Sequence, residues 1–145
     1  MRLTIVTPLL ALALVGCASG SNIPMPYAIA DALARPEYKH RLDDVALYFG
    51  DQSHPPVEKS FGVRTTAQRS NAAGDRANED SCDRAFVSAL LRLRSAALKA
   101  GGDAVIEIKS NYKHNEVSST SHYQCATGAI MSGVALKGTV VKLKR

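Results

Sequence analysis

The stretch NEDSCDRAFVSALLRLRSAALKAGGDAVIEIKSNY, residues 78–112, decides the fold class. Its first part predicts a long helix from Asn78 to Ala100, because apolar side chains recur at helical spacing and polar ones occupy the opposite face. Asn78 is a typical N-cap residue, and the pair Gly101-Gly102 is typical of a helix end. The apolar face holds Phe86, Leu90, Leu93 and Ala97, and the polar face holds Ser88, Arg92, Ser95 and Lys99.

Strands are predicted on both sides of this helix. Residues 103–112 alternate as a strand with one buried face, in which Ala104, Ile106 and Ile108 share one side. Before the helix, strands are predicted at 44–50 and 59–71, and after it one long strand runs from 123 to 145 with a bulge at Gly138. The order β-β-α-β-β predicts an α+β fold, with one long helix packed on a small antiparallel sheet.

The chain begins with a short positive segment and a thirteen-residue apolar run, residues 3–15. This run is too short to span a bilayer, which needs about 20 residues, but it fits the apolar region of a secretory signal. It ends in Leu14-Val15-Gly16-Cys17, which resembles the bacterial lipobox. The resemblance implies cleavage before Cys17 and attachment of lipid to its sulfur. A plain signal peptide with a chance cysteine is the alternative.

These features predict the domain organisation and the location. Residues 1–16 are predicted as a lipoprotein signal peptide, 17–43 as a lipidated N-terminus and tether with a possible short helix, and 44–145 as the α+β domain. Residues 18–30 in particular are typical of a tether, since they contain glycine, serine, asparagine and proline. Ala18 rather than aspartate follows the lipid site, which in lipoproteins of this kind implies the outer membrane. We therefore expect a lipid-anchored protein facing the periplasm.

Composition and charge limit the kinds of partner that we expect for this protein. The 145 residues carry a formal net charge of +5, lack tryptophan and suit one domain with an aliphatic core. Predicted export argues against nucleic acid as the partner of the basic charge. The C-terminal cluster of cations is typical of a strand edge that lysines protect from pairing. Binding to an anionic envelope surface is the alternative. The members of the cluster are Lys137, Lys142, Lys144 and Arg145.

Two cysteines remain beside the lipid site, Cys82 and Cys125, and an oxidising compartment favours a bridge between them. Geometry favours the same pair. The helix after Cys82 runs about 27 Å, and the strand after it returns about 33 Å, so that Cys125 begins the last strand near the start of the helix. Two free thiols, with Cys82 reactive in redox chemistry, are the alternative.

Two blocks of sequence, residues 100–105 (AGGDAV) and 137–142 (KGTVVK), resemble the YbjQ-like domain family. The stretch Asp80-Ser81-Cys82, Cys125 and the lipobox are similar to the cysteine-bridged stress-sensor lipoproteins of the Rcs phosphorelay. The resemblance implies a YbjQ-like fold, a Cys82–Cys125 disulfide, and envelope sensing or scaffolding through contacts with other envelope proteins. Those sensors have a second disulfide, for which this chain has no cysteines.

Ligand and catalytic motifs are few. His114 and His122, with Glu116 and Cys125 nearby in sequence, are weak candidates for a metal site, because their spacing is not a recurrent one and an oxidised cysteine cannot ligate. No catalytic motif is present in the sequence. We therefore expect no cofactor and no enzymatic activity, with a small-ligand or metal-binding periplasmic module as the alternative.

Overall fold

In the computed structural model, which describes residues 23–72 and 77–145, a curled seven-stranded sheet packs against one long helix. A short helix and a 3₁₀ turn at Pro36–Tyr38 lie between the first two strands. The strands are β1 Pro24–Ala28, β2 Ala46–Phe49, β3 Val57–Asn71, β4 Ala104–Tyr112, β5 Asn115–Val117, β6 His122–Thr127 and β7 Met131–Leu143; the helices are α1 Ile29–Ala34 and α2 Ala77–Ala100.

Strand β7 organises the sheet. One of its edges pairs with β3 along almost the whole length of both strands, and its other edge pairs with β4 and, at Ala126 and Thr127, with β6. Beyond these, β1 pairs with β6, β2 pairs with β4, and β5 forms a hairpin with β4. The β2–β4 pair is parallel. The predicted fold class is therefore wrong: the sheet is mixed and has seven strands, and the order is not β-β-α-β-β.

The predicted long strand at the C-terminus is two strands. A turn between them is closed by the backbone N–H of Gly128, which donates to the carbonyl of Met131 at 2.8 Å. Strand β6 precedes this turn and pairs with β7 only at its last two residues. Over its first five residues, from His122 to Ala126, it pairs with β1. The pattern could not indicate this break, because strand-forming residues stand on both sides of a turn that contains a single glycine.

The predicted bulge at Gly138 is also wrong, because the irregularity lies in the neighbouring strand. Between Ile106 and Lys109 the register of β4 against β7 shifts, and Glu107 has a φ of +53°. Beyond this bulge the side chains change sides, so that Ile108 joins the core under α2 while Ile106 lies in a separate cluster. A Cβ on Gly138 would lie 2.7 Å from Val105 Cγ1, so this glycine makes room for the core at the bulge.

The predicted buried face of α2 is confirmed. Phe86, Leu90, Leu93 and Ala97 are fully buried against the sheet, whereas Arg92 and Lys99 are exposed. The helix ends as expected, with the Gly102 N–H bonded to the Ala97 carbonyl at 2.8 Å and Gly101 at a φ of +81°. The predicted N-cap is wrong, because α2 includes Asn78 as its second residue.

The N-terminal part of the domain begins earlier than the tether prediction implies. Residues 24–28 form β1, and the helix α1 that follows buries Ile29 and Ala32 in the main core. This helix ends before Pro36, as a proline at that position requires. The predicted signal peptide and Cys17 lie outside the described residues.

We expect Leu90→Ala to lower the free energy of unfolding by about 2–5 kcal/mol, since it removes a fully buried side chain from the helix–sheet interface. The control is Arg92→Ala, which changes an exposed position on the same helix and should cost no more than about 0.5 kcal/mol. Denaturant unfolding curves measure both. Equal losses for the two variants would contradict the assignment of the faces.

Candidate interaction surface

The cysteine bridge fixes the start of α2 to the sheet. Cys82 and Cys125 form a disulfide, with their Cα atoms 5.8 Å apart, and both side chains are buried. The predicted pairing is confirmed. The bridge is not accessible for redox chemistry at the surface, because neither cysteine residue is exposed by more than 1%.

A buried carboxylate lies beside the bridge. Asp83, which is 2% exposed, accepts a hydrogen bond from the Tyr123 hydroxyl at 2.6 Å and another from Arg35 Nε at 2.5 Å. Arg35 also donates to Asp80 at 2.6 Å. Burial, together with the hydrogen bond to Asp83, raises the pKa of Tyr123, so the phenol stays protonated and acts as a donor. The ring of Tyr123 stacks on Phe86 with the centroids 4.0 Å apart.

This network is not predicted by the sequence analysis above, although the helix contains one sign of it. Asp83 lies three residues before Phe86 and seven before Leu90, which places a charged side chain in the apolar stripe of the helix. A carboxylate in such a stripe needs a partner, because a buried unpaired charge is unstable. Nothing in the local sequence identifies that partner, since Arg35 lies 48 residues away.

The weak metal candidates do not form a site. His114 lies at the tip of the β4–β5 hairpin, and His122 begins β6, where its Nδ1 contacts the Ser121 hydroxyl at 2.8 Å. Cys125 is in the disulfide, and Glu116 is paired with lysines. Within residues 23–72 and 77–145, no three His, Cys, Asp or Glu side chains are grouped so that they could hold a metal ion.

Two lysines pair with Glu116 on the outer face of the sheet. Lys109 Nζ lies 2.9 Å from Glu116 Oε2, and Lys137 Nζ contacts the other oxygen. The hydrogen bonds from Lys137 and Lys109 hold the pKa of Glu116 at about 2, below its ordinary value of 4.5. Lys137 thus has a defined partner, while Lys142, Lys144 and Arg145 are exposed at the C-terminus.

Because the pKa of Glu116 is lowered by folding, its contribution to stability is complete above about pH 4.5 and is lost as the pH falls towards 2. We expect Lys137→Met to raise the pKa of Glu116 towards 4.5 and to remove part of this dependence. An NMR titration of the Glu116 carboxyl measures the shift, with Lys142→Met on the same strand as the control. A titration midpoint that is unchanged by Lys137→Met would refute the assignment.

Strand β3 leaves a long edge open in the described part of the chain. It pairs there with β7 alone, over residues 57–71. Arg64 Nη1 and Gln68 Nε2 donate to the carbonyls of the residues that precede them, at 3.0 and 2.8 Å. The edge is therefore partly satisfied by its own side chains, and cations on it are typical of protection against uncontrolled strand pairing.

An apolar concavity of about 380 Å³ lies at the end of the sheet where β4 stops. Tyr112 also lines a second concavity beside the β6–β7 turn, so that the two adjoin. The first is lined by Ile23, Pro24, Tyr112, Lys113, Asn115, Val117 and Gln124, and the second includes Arg69, Ile130 and Met131. We call this surface, formed by both concavities, the Tyr112 end.

A third concavity is polar and lies between the residues that follow β2 and the bulge of β4. Its lining includes Asp51, His54, Glu107 and Lys109, and the left-handed backbone of Glu107 at the β4 bulge presents that carboxylate there. Gly50 lines this concavity and lies close to the backbone of Ser119, because a Cβ on Gly50 would lie 3.0 Å from the Ser119 carbonyl carbon. The serine-rich segment 118–121 is thus packed against the end of β2.

Comparison of the chain with protein-family models, curated proteins and solved structures finds no match. No helix in the described ranges is both long enough and apolar enough to cross a bilayer. The structural features that bear on function are therefore the bridged core, the open β3 edge, the Tyr112 end and the polar concavity beside Glu107.

Proposed function

We propose that the chain is a lipid-anchored outer-membrane protein whose domain faces the periplasm and acts through contacts with other envelope proteins, in sensing or scaffolding. The observation that carries the proposal is the lipobox-like Leu14-Val15-Gly16-Cys17, which ends six residues before Ile23. The buried Cys82–Cys125 bridge supports it, since structural disulfides persist in oxidising compartments such as the periplasm.

The open edge of β3 supports action through protein contacts. An unpaired edge can accept an extended segment of another protein as an additional strand, with the backbone supplying the hydrogen bonds. The strand carries Lys59, Arg64 and Arg69 against the single acid Glu58, which favours an acidic partner segment. A small-ligand module is the second candidate function, and the polar concavity beside Glu107 is the observation that favours it.

We expect Cys17→Ser to abolish incorporation of labelled palmitate and to leave the precursor uncut by the lipoprotein peptidase. The reason is that the cysteine sulfur is the atom that accepts the lipid in lipoproteins of this kind. Metabolic labelling in intact cells measures the first effect, and the size of the protein measures the second. The control is the double variant Cys82→Ala/Cys125→Ala, which retains Cys17 and should still be labelled. Equal labelling of wild type and Cys17→Ser would refute the anchor.

Contacts through β3 are tested with a photo-crosslinking side chain introduced in living cells at Thr65, an exposed residue in the middle of the strand. The control carries the same side chain at Arg92, which is also exposed but lies on α2. Adducts formed from position 65 and not from position 92 support strand addition at the β3 edge. The same adducts from both positions, or none from either, would contradict it.

A further inference from the structure

We propose that the Tyr112 end of the domain rests directly on an anionic phospholipid surface, with its apolar side chains at the headgroup boundary. This inference depends on the lipid anchor proposed above. It adds an orientation, because an anchor alone would leave the domain free to turn any face to the membrane.

The first argument is the apolar character of this end. Four large apolar side chains lie exposed around Tyr112. Exposed apolar residues that cluster in this way mark an interaction surface, whereas isolated ones need no explanation. The four side chains come from three parts of the chain: the residue before β1, the β4–β5 hairpin and the β6–β7 turn. Their exposed fractions are 63% for Ile23, 43% for Val117, 70% for Ile130 and 42% for Met131.

The second argument is the position of the anchor. Cys17 precedes Ile23 by six residues, and six fully extended residues reach at most about 20–22 Å. Ile23 itself lines the apolar concavity of the Tyr112 end. A lipid on Cys17 therefore holds this end within about 20–22 Å of the bilayer, whatever path the linking residues take.

The third argument is charge. The lining of the two concavities includes Lys113 and Arg69, and none of the described residues in it is a carboxylate. Cations beside exposed isoleucine, valine and methionine are the combination that binds the interface of anionic lipids, since apolar insertion and electrostatic attraction then act together. If a protein occupied this surface, its cations and exposed apolar side chains would not need to lie at the end of the domain nearest the lipid anchor.

The chain contains no tryptophan, so a single introduced indole reports on one position. Val117→Trp places it at the Tyr112 end, and Leu98→Trp is the matched control, because the two side chains are 43% and 44% exposed. Leu98 lies near the C-terminus of α2, which leads into the start of β4, whereas Tyr112 is the last residue of that strand, about 26 Å further on at 3.3 Å per residue.

The experiment uses the lipidated full-length protein, purified from membranes and reconstituted in vesicles of phosphatidylcholine and phosphatidylglycerol with brominated acyl chains. We expect the Val117→Trp variant to lose fluorescence relative to unbrominated vesicles and its emission to shift to the blue. The Leu98→Trp variant should keep its fluorescence. Equal quenching of both variants, or quenching of neither, would overturn the proposed orientation.

Failure of the anchor and failure of the orientation give different results. If Cys17 carries no lipid, palmitate is not incorporated and the proposed function fails before vesicles are made. If the protein is lipidated and Val117→Trp is no more quenched than Leu98→Trp, the anchor stands and the orientation is wrong. A protein occupant of the Tyr112 end gives this second result.

Discussion

Removing the Cys82–Cys125 bridge is expected to lower the free energy of unfolding by about 4 kcal/mol. The two cysteines are 43 residues apart in sequence, and in the chain-entropy model a cross-link closing a loop of that length restricts the unfolded chain by about this amount. Domains of this size are stable by about 5–15 kcal/mol, so the loss is a large fraction of the total. Denaturant unfolding of Cys82→Ala/Cys125→Ala against wild type measures it.

Reductant provides the control for this prediction. Both cysteines are buried, so alanine at these positions also removes packing, and part of the loss could come from that source. Reduction opens the bridge and leaves the sulfur atoms in place. We expect dithiothreitol to lower the midpoint of unfolding of wild type and to leave that of the double variant unchanged. Alkylation of both thiols in oxidised wild-type protein would show that there is no bridge.

The bridge could be predicted because it depends on local lengths. A helix that ends at Ala100 and a strand that returns antiparallel to it bring Cys82 and Cys125 to one end of the domain, whatever the rest of the sheet does. The core face of α2 could be predicted for the same reason, since it follows from spacing within one element. Both are properties of a segment and its immediate neighbour.

The topology of the sheet could not be predicted in this way. The parallel pairing of β2 with β4 joins segments separated by the whole of β3 and α2, and no residue pattern in β2 specifies its partner. Strand β1 was missed because Pro24 and Pro26 are typical of a linker; its place at the edge of the sheet tolerates prolines. The bulge at Glu107 was missed because the sequence alternates regularly through it.

The candidate surface also depends on distant segments. Residues from the start of β1, from the β4–β5 hairpin and from the β6–β7 turn meet at Tyr112, and each segment alone contains only one or two exposed apolar residues. The sequence favours His114 and His122 as weak metal candidates because imidazole is a common metal ligand. The structure places both at exposed positions. The lysine at 113, beside His114 at the hairpin tip, is instead part of the Tyr112 end.

Replacing Arg35 with alanine is expected to lower the free energy of unfolding by about 3–5 kcal/mol, which is the usual cost of leaving a buried charge without its partner. Asp83 is 2% exposed, and Arg35 is the only cation that the described residues place against it. Burial tends to lower the pKa of Arg35, but its hydrogen bonds to Asp80 and Asp83 raise the pKa overall, so the guanidinium is charged at any ordinary pH. Without it, the Tyr123 hydroxyl is the one remaining donor to the carboxylate from that network.

Two comparisons distinguish this cost from the loss of an ordinary surface ion pair. Arg94 forms a bidentate pair with Asp44 on the surface, and Arg94→Ala should have a much smaller effect, because solvent screens that pair. The second comparison is Arg35→Ala combined with Asp83→Asn. The second substitution removes the unpaired buried charge but retains an oxygen that can accept the Tyr123 hydrogen bond. Because the penalty arises from the unpaired carboxylate, the double variant should be more stable than Arg35→Ala alone. Additive losses in this double-mutant cycle would mean that Arg35 stabilises the domain through packing and not through Asp83.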